Sequence, residues 1–423
     1  MIRSVVIGGG ILGACSALEL QRAGHAVTLL EPGPPGGEQS ASYGNGCWLS
    51  PMSVIPPAVP GLWRKVPGFI ADPLGPLAIR WSYLPKVMPW LLRYLRSGWT
   101  EARVARTAVA LRALLKDAPA LHAALAEEAG VGALIRRGGL MYVYPDRAAF
   151  EAEAMAWRIR RQVGIRWIEL AAEELHQREP ALDRRYRFAV LVEEGGHCLD
   201  PGAYVAALIA LAEAQGARRL ARRATGFRVE GGHLRAVRTD AGEVEADRAV
   251  IAAGAHSKPL AAALGDRVPL ETERGYHAMI MPAPGEELPG PRTPLMPSDG
   301  KMSITLTRRG LRCAGQVEIA GLAAAPNWKR AAILRDHLLR SFPALPRDLP
   351  PERVRFWMGH RPSMPDGLPC LGPSSATPDV VLAFGHGHVG LVAGPRSARL
   401  VAQLLSGRRP ELDLTPYDPR RFQ

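Results

Sequence analysis

IRSVVIGGGILGACSALELQRAGHAVTLLEP, residues 2–32, sets Gly8-x-Gly10-x-x-Gly13 between an apolar, β-branched run and a segment of helical character. The run at residues 2–7 predicts a strand, the glycines a tight turn, and 11–22 a helix whose first amides can hold a pyrophosphate. Gly24 stands where that helix should end. Residues 26–30 predict a second parallel strand closing on Glu31, eighteen positions beyond Gly13, where a carboxylate would meet ribose hydroxyls. Glycine spacing alone is weak evidence, because glycine-rich turns are common. The strand before it, the helix after it and the acid at the right distance make it a dinucleotide site, with FAD or NAD favoured over NADP.

The 423-residue chain can bury a large core and predicts two domains, or one large domain with an insertion. Fifty-three Lys and Arg against forty Asp and Glu give a formal charge of +13. That excess would suit an anionic partner, but it is scattered arginine, as at 158–161 and 218–223, and reads as solvated helix faces. No nucleic-acid-binding module accompanies it. Five cysteines lie far apart without a CxxC, which argues for a reducing cytoplasm, and no His, Cys, Asp and Glu group has metal-ligand spacing. No stretch is apolar enough to span a membrane. Residues 77–99 mix Trp, Leu and Tyr with Arg and Lys, which leaves open peripheral association with the inner face of a membrane. Pro85 and Pro89 favour two short core-facing helices there instead.

Beyond the first unit, 32–60 is a long Gly-, Pro- and Ser-rich loop centred on QSASYGNGCWLSP, and loops of that length are usually functional. Residues 100–130 predict a long helical region, 138–144 a strand and 151–163 a helix. Asp200-Pro201 opens an amphipathic helix at 204–215, followed by strands at 218–229, 234–239 and 244–252. Ala253 and Gly254 then lie just past a buried strand, where ligands of open α/β sheets bind. Residues 267–357 are strand-rich, with a helix at 328–342. A strand at 380–384 runs into Gly385, Gly387 and Gly390 ahead of a helix from about Pro395, another backbone array suited to an anionic group.

Start, middle and end together resemble the D-amino-acid oxidase superfamily of flavoproteins, and within it the small subunit of bacterial D-amino-acid dehydrogenase. Besides the N-terminal fingerprint, the resemblance rests on Ser40–Gly46, VIAAGAHS at 250–257, ERGYHAMI at 273–280, GHRPSMPDGLPCLGP at 359–373 and FGHGHVGL at 384–391. It implies an α/β architecture: a Rossmann-like FAD-binding domain with a parallel sheet, discontinuous over 1–65, 150–258 and 355–423. A substrate domain, with a large mixed sheet flanked by helices, would take 66–149 and 259–354. It also implies FAD, contacted by Gly8, Gly10, Ile11, Leu12, Gly13, Glu31, Pro32, Gln39, Ser40, Gly44, Asn45 and Gly46. Further contacts are implied at Gly226, Ala253, Gly254, Gly385, Gly387, His388, Val389, Gly390 and Leu391.

The activity implied is hydride transfer from Cα of a D-amino acid, or of a cyclic or N-substituted one, to flavin N5. Electrons would pass to a quinone or, in the alternative of an oxidase of glycine, sarcosine or proline type, to oxygen. A flavin-bearing subunit inactive without partner chains is a reading of another class, and homo- and hetero-oligomers both remain open. Arg361 is the implied clamp for the substrate carboxylate, since a planar guanidinium offers two parallel donors. His386 is implied beside the flavin, while His388 and His360 have weaker claims to catalysis. Relatives place a pocket tyrosine near the position of Gly300, so its absence predicts extra room, with Tyr276 or Tyr43 as substitutes.

Overall fold

A computed structural model describes residues 1–72, 74–75 and 77–422. In chain order, the elements that position the site are β1 (Arg3–Ile7), α1 (Ile11–Arg22), β2 (Ala26–Leu30), α2 (Leu84–Ser97), β3 (Arg218–Leu220), β4 (Arg248–Ile251), β5 (Glu271–Ile280), β6 (Gly310–Ile319), α3 (Trp328–Ser341), β7 (Val354–Ser363), β8 (Cys370–Pro373), β9 (Val380–Phe384) and α4 (Gly390–Leu405). The opening unit forms as its pattern requires: β1 and β2 pair in parallel with α1 between them. They belong to a six-stranded sheet ordered β3-β2-β1-β4-β9-β8, parallel except for β8. Its central strands β1, β4 and β9 are buried on both faces, so they read as continuous apolar runs. α1 packs between α4 and the Pro201–Ala214 helix.

The second sheet has nine strands. From one edge it runs β7-β5-β6, then Ser303–Thr307, Leu295–Pro297, Leu140–Tyr144, Phe188–Val192 and Ile168–Ala171, with Leu77–Ile79 paired to β6. The architecture is thus mixed α/β with one parallel and one mixed sheet, as expected. The strands at 168–171, 188–192 and 354–363 were expected with the nucleotide-binding segments but pair into this second sheet.

β5 is buried along its whole length, yet its alternation sorts two different environments. Tyr276, Ala278 and Ile280 join Cys313, Leu334 and Leu338 in an apolar cluster beneath α3. Glu271, Glu273, Gly275 and His277 stand on the opposite face, where the loop at 43–47 lies.

Several local expectations change. Residues 77–99 form a strand and one helix rather than two helices, because Pro85 occupies the first turn of α2 and Pro89 forfeits only a bond to residue 85. The region 100–130 splits into Glu101–Leu115 and Ala118–Glu128 where Asp117 adopts φ +63°. Residues 218–229 and 244–252 each divide between the six-stranded sheet and a small antiparallel one. α4 begins at Gly390, five residues before Pro395, which sits within its first two turns.

Candidate functional site

The β1–α1 turn is a close-packed backbone cradle. Gly8 has φ +107°, and a Cβ there would stand 2.5 Å from the Ala252 oxygen; one on Gly13 would overlap the Gly8 oxygen. The helix therefore starts hard against the strand end, with Gly10, Ile11 and Leu12 leading into α1. Gly10 has no side-chain cap over the helix, and the Ser40 and Ser42 hydroxyls border it at 3.2 and 3.5 Å from its would-be Cβ. Ile11 N donates to Ser42 Oγ at 3.1 Å. The Glu31 carboxylate is buried at the end of β2, accepting from Gly9 N at 2.7 Å and Gly33 N at 3.0 Å. Gln39 Nε2 approaches it at 3.4 Å and also donates to the carbonyl of Pro34, so the turn from Pro32 to Ser40 folds back on the acid. Ala252 and Ala253 adjoin Gly8 from the end of β4, with Gly254 next in the chain, while Gly226 lies at an irregularity of an antiparallel strand with open space beside it. An acid fixed by amides beside glycines that admit no side chain fits the ribose and pyrophosphate of a dinucleotide.

The loop carrying Gly44, Asn45 and Gly46 lies flat on the nine-stranded sheet. A Cβ on Gly44 would overlap the Trp357 ring, and one on Gly46 would overlap Ser303 Oγ. Arg312, buried, donates to the carbonyls of Tyr43 and Asn45 at 3.2 and 3.0 Å. His277 Nδ1 meets the Gly44 carbonyl at 3.2 Å and Thr305 donates to that of Gly46. The His277 ring stacks on Trp357, centroids 5.3 Å apart, and burial pushes its pKa down to about 3, so it is neutral. None of these anchors was read from the sequence; only Gly44 and Gly46 signalled the close approach.

Facing them, Gly385 at φ +90° and Gly387 at φ +53° turn the chain from β9 into α4, whose N-terminus at Val389, Gly390 and Leu391 lacks a side-chain cap. A backbone bridge between Ser363 and His386 ties this turn to β7. His386 itself is buried, bonded through Nε2 to Ser397 of α4 at 3.0 Å, and burial holds its pKa near 4. It is a neutral ring beneath the helix.

Arg361 lies between the two loops. Its guanidinium crosses β5 at Gly275, whose absent Cβ leaves the room it fills. It donates to the carbonyls of Gln316 at 2.9 Å and Gly315 at 3.3 Å, presented where β6 is irregular and Gln316 takes φ +60°. Burial pulls the guanidinium below its ordinary pKa while Glu273 works against that, yet among the described residues no carboxylate lies within ion-pair distance of it. Glu273, directly opposite in the β5–β7 register, pairs with His388 Nε2 at 2.8 Å instead. Glu273 went unassigned in the sequence. Its one signal was an acid in a buried strand, in step with Gly275.

Tyr276 points to the α3 side, its hydroxyl donating to Glu318 Oε2 at 2.6 Å and accepting from Asn327 N at 3.0 Å. It therefore stands across the sheet from Arg361. Gly300 offers no extra room, because a Cβ there would lie 2.7 Å from the buried His337 ring of α3. Tyr43 contacts Arg309 and Trp357 rather than Arg361. His360 bonds Thr272 at 2.9 Å, away from the Arg361 face. No group of three or more metal-ligating side chains occurs among the described residues.

A parallel nucleotide-binding sheet joined to a large mixed sheet, with glycine turns meeting between them, defines a flavin-dependent oxidoreductase. The chain belongs to the DAO family of FAD-dependent oxidoreductases, whose model matches residues 3–404. It is 61% identical over 419 residues to a D-amino-acid oxidase of Bradyrhizobium diazoefficiens, covering 99% of this chain and 98% of that protein. It is 31% identical to a D-amino acid dehydrogenase of Paramagnetospirillum magneticum, across 100% of this chain and 99% of the relative. In fold it resembles glycine oxidase from Bacillus cereus, with a TM-score of 0.73 at 19% identity, covering 97% and 99% of the two chains. L-proline dehydrogenase from P. horikoshii gives 0.72 at 21% identity, covering 100% and 97%.

Proposed function

We propose that the protein oxidises the Cα–N bond of a D-amino acid. The observation that carries this is Arg361, a half-buried guanidinium held by two backbone carbonyls and unpaired with any carboxylate among the described residues. A planar donor fixed on a β-strand beside the flavin loops is suited to a substrate carboxylate. FAD would be held by Gly8–Gly13 with Glu31 at the nucleotide end, by Gly44–Gly46 and Gly385–Leu391 at the other, and would accept the hydride of Cα. The chain's own part is to fix the carboxylate, orient Cα and exclude water. The likeness to a D-amino-acid oxidase over nearly the whole chain favours oxygen over a quinone as acceptor.

Anaerobic mixing of the FAD-loaded protein with a panel of D- and L-amino acids tests the reading. Bleaching by D-isomers supports it, and bleaching by L-isomers alone overturns the stereochemistry. Arg361→Ala should lower kcat/KM by about 10²–10³, since a charge-assisted contact to a buried carboxylate is worth ~2–5 kcal/mol, with FAD content unchanged. Reoxidation in air should outpace reoxidation by a quinone.

We infer a second property from α2. Val87, Trp90, Leu91 and Tyr94 face the core, while Met88 and Leu92 are exposed, as are Trp63, Trp81 and Trp99 in the flanking sequence. Arg64, Lys86, Arg93 and Arg96 in the same stretch are exposed too, and that mixture suits peripheral binding to an anionic bilayer. Vesicles with phosphatidylserine should retain the protein at low salt and release Leu92→Ser; equal binding to neutral vesicles would refute the reading. No helix among the described residues is long and apolar enough to cross a membrane.

A further inference from the structure

The buried acid of the site is bonded to a histidine, and the arginine opposite it is bonded to neither. Glu273 is 2% exposed, and its one ion-pair partner among the described residues is His388, whose side chain is 42% exposed on the turn before α4. Glu273 and Arg361 are register partners on the same sheet face, so the Glu273–His388 pair and the guanidinium flank one spot. An amino acid whose carboxylate meets Arg361 carries its ammonium one carbon away, on the side of that pair.

We propose that His388 is the base that takes a proton from the substrate's α-ammonium, and that Glu273 is its positioning residue. The inference rests on the amino-acid reading above. In the step, one ammonium N–H bond breaks, its electron pair stays on nitrogen as the amine lone pair, and a bond forms between that proton and the His388 ring. The amine lone pair is what must be free before hydride can leave Cα.

The tautomer follows from the partner. Burial pushes the Glu273 carboxyl up, but the His388 hydrogen bond and the charges of His388 and Arg361 outweigh it and hold the group below the usual range. An ionised carboxylate only accepts, so Nε2 holds a hydrogen toward Glu273 and Nδ1 is the ring atom left to exchange one with the substrate. Other groups facing the pair are few. Arg361 comes from β7 and Tyr94 from α2, where burial and the Glu273 charge hold the phenol protonated. Glu271, farther along the same face of β5, is engaged by the Tyr83 hydroxyl. His386, on the same turn as His388, is turned to Ser397. A substrate carboxylate on Arg361 cancels the cation that competes with His388 for Glu273, which strengthens the dyad when it is needed.

The test is the pH dependence of anaerobic flavin reduction in wild type, His388→Gln and Glu273→Gln. Binding of a simple carboxylate lacking an amino group, read from the flavin spectrum, serves as the control. Wild type should lose kcat/KM on the acid side as the base is protonated. His388→Gln should lower kcat/KM by ~10²-fold near neutrality, abolish that limb and recover at high pH where the amine is already neutral, with carboxylate binding unchanged. Glu273→Gln should keep the limb but lower kcat/KM by ~10-fold with carboxylate binding unchanged, because the ring loses the partner that orients it. A limb that persists in His388→Gln, or a wild-type kcat/KM in Glu273→Gln, overturns the proposal. If His388→Gln loses FAD, the kcat/KM of Glu273→Gln measured against its carboxylate binding decides alone. A wild type reduced by no amino acid would instead bring down the function proposed above.

Discussion

The two ends of the site are built in opposite ways. At the nucleotide end, Gly8 to Glu31 are contiguous, and the working groups are backbone amides plus one acid held by two of them. At the substrate end, Gly44, Glu273, Gln316, Arg361 and His388 arrive from five separate segments, and the two charged groups on β5 and β7 are side chains aimed by strand alternation. The first depends on what cannot be there, a Cβ. The second depends on direction, and one residue of register would turn every group to the wrong face.

The contrast can be broken at each end with a single methyl group, and the larger effect should come first. In Gly13→Ala the new Cβ would overlap the Gly8 carbonyl oxygen, a backbone atom fixed between β1 and β4. The turn cannot open without separating α1 from the sheet. The purified variant should be colourless and remain so with added FAD; a yellow protein with wild-type FAD content would show that the cradle tolerates more than its geometry allows. In Gly275→Ala the overlap is with the Arg361 guanidinium, the far end of a flexible side chain. That group can move, so FAD and fold should survive while KM for the amino acid rises by ~10–100-fold as one charge-assisted contact weakens. An unchanged KM would separate Arg361 from substrate binding as decisively as its own substitution.

These differences mark how much of the molecule was legible in the sequence. Ile11–Arg22, Ala26–Leu30 and Val380–Phe384 were readable because each is a local pattern: helical or β periodicity bounded by glycine. The glycines near 44–46 and 385–390 were readable for the same reason. The side taken by Tyr276 was not legible, because its neighbours in ERGYHAMI lie on the Arg361 face and only the pleat separates it from them. Gly300 was misread because the filling group, His337, comes from a helix 37 residues later in the chain. Arg312 and His277, which pin the 43–47 loop, announce themselves only once β5 and β6 are paired. Glu273 was in plain view in a quoted motif. What was missing was its partner, 115 positions away.

Tyr276→Phe gives the smallest effect and the sharpest control on alternation. If the pleat assigns Tyr276 to the α3 side, removing its hydroxyl leaves kcat, KM and the pH profile at wild-type values. The cost appears in stability instead. Asn327 N loses its acceptor, while Glu318 loses one donor but keeps Arg80 Nε at 2.7 Å and Arg274 Nη1 at 3.5 Å. One unsatisfied half-buried amide beside a still-paired acid should cost about 1 kcal/mol, a drop of a few degrees in Tm. A raised KM with unchanged Tm would mean that the ring reaches Arg361, that β5 is out of register by one residue, and that Glu273 with it faces the apolar core.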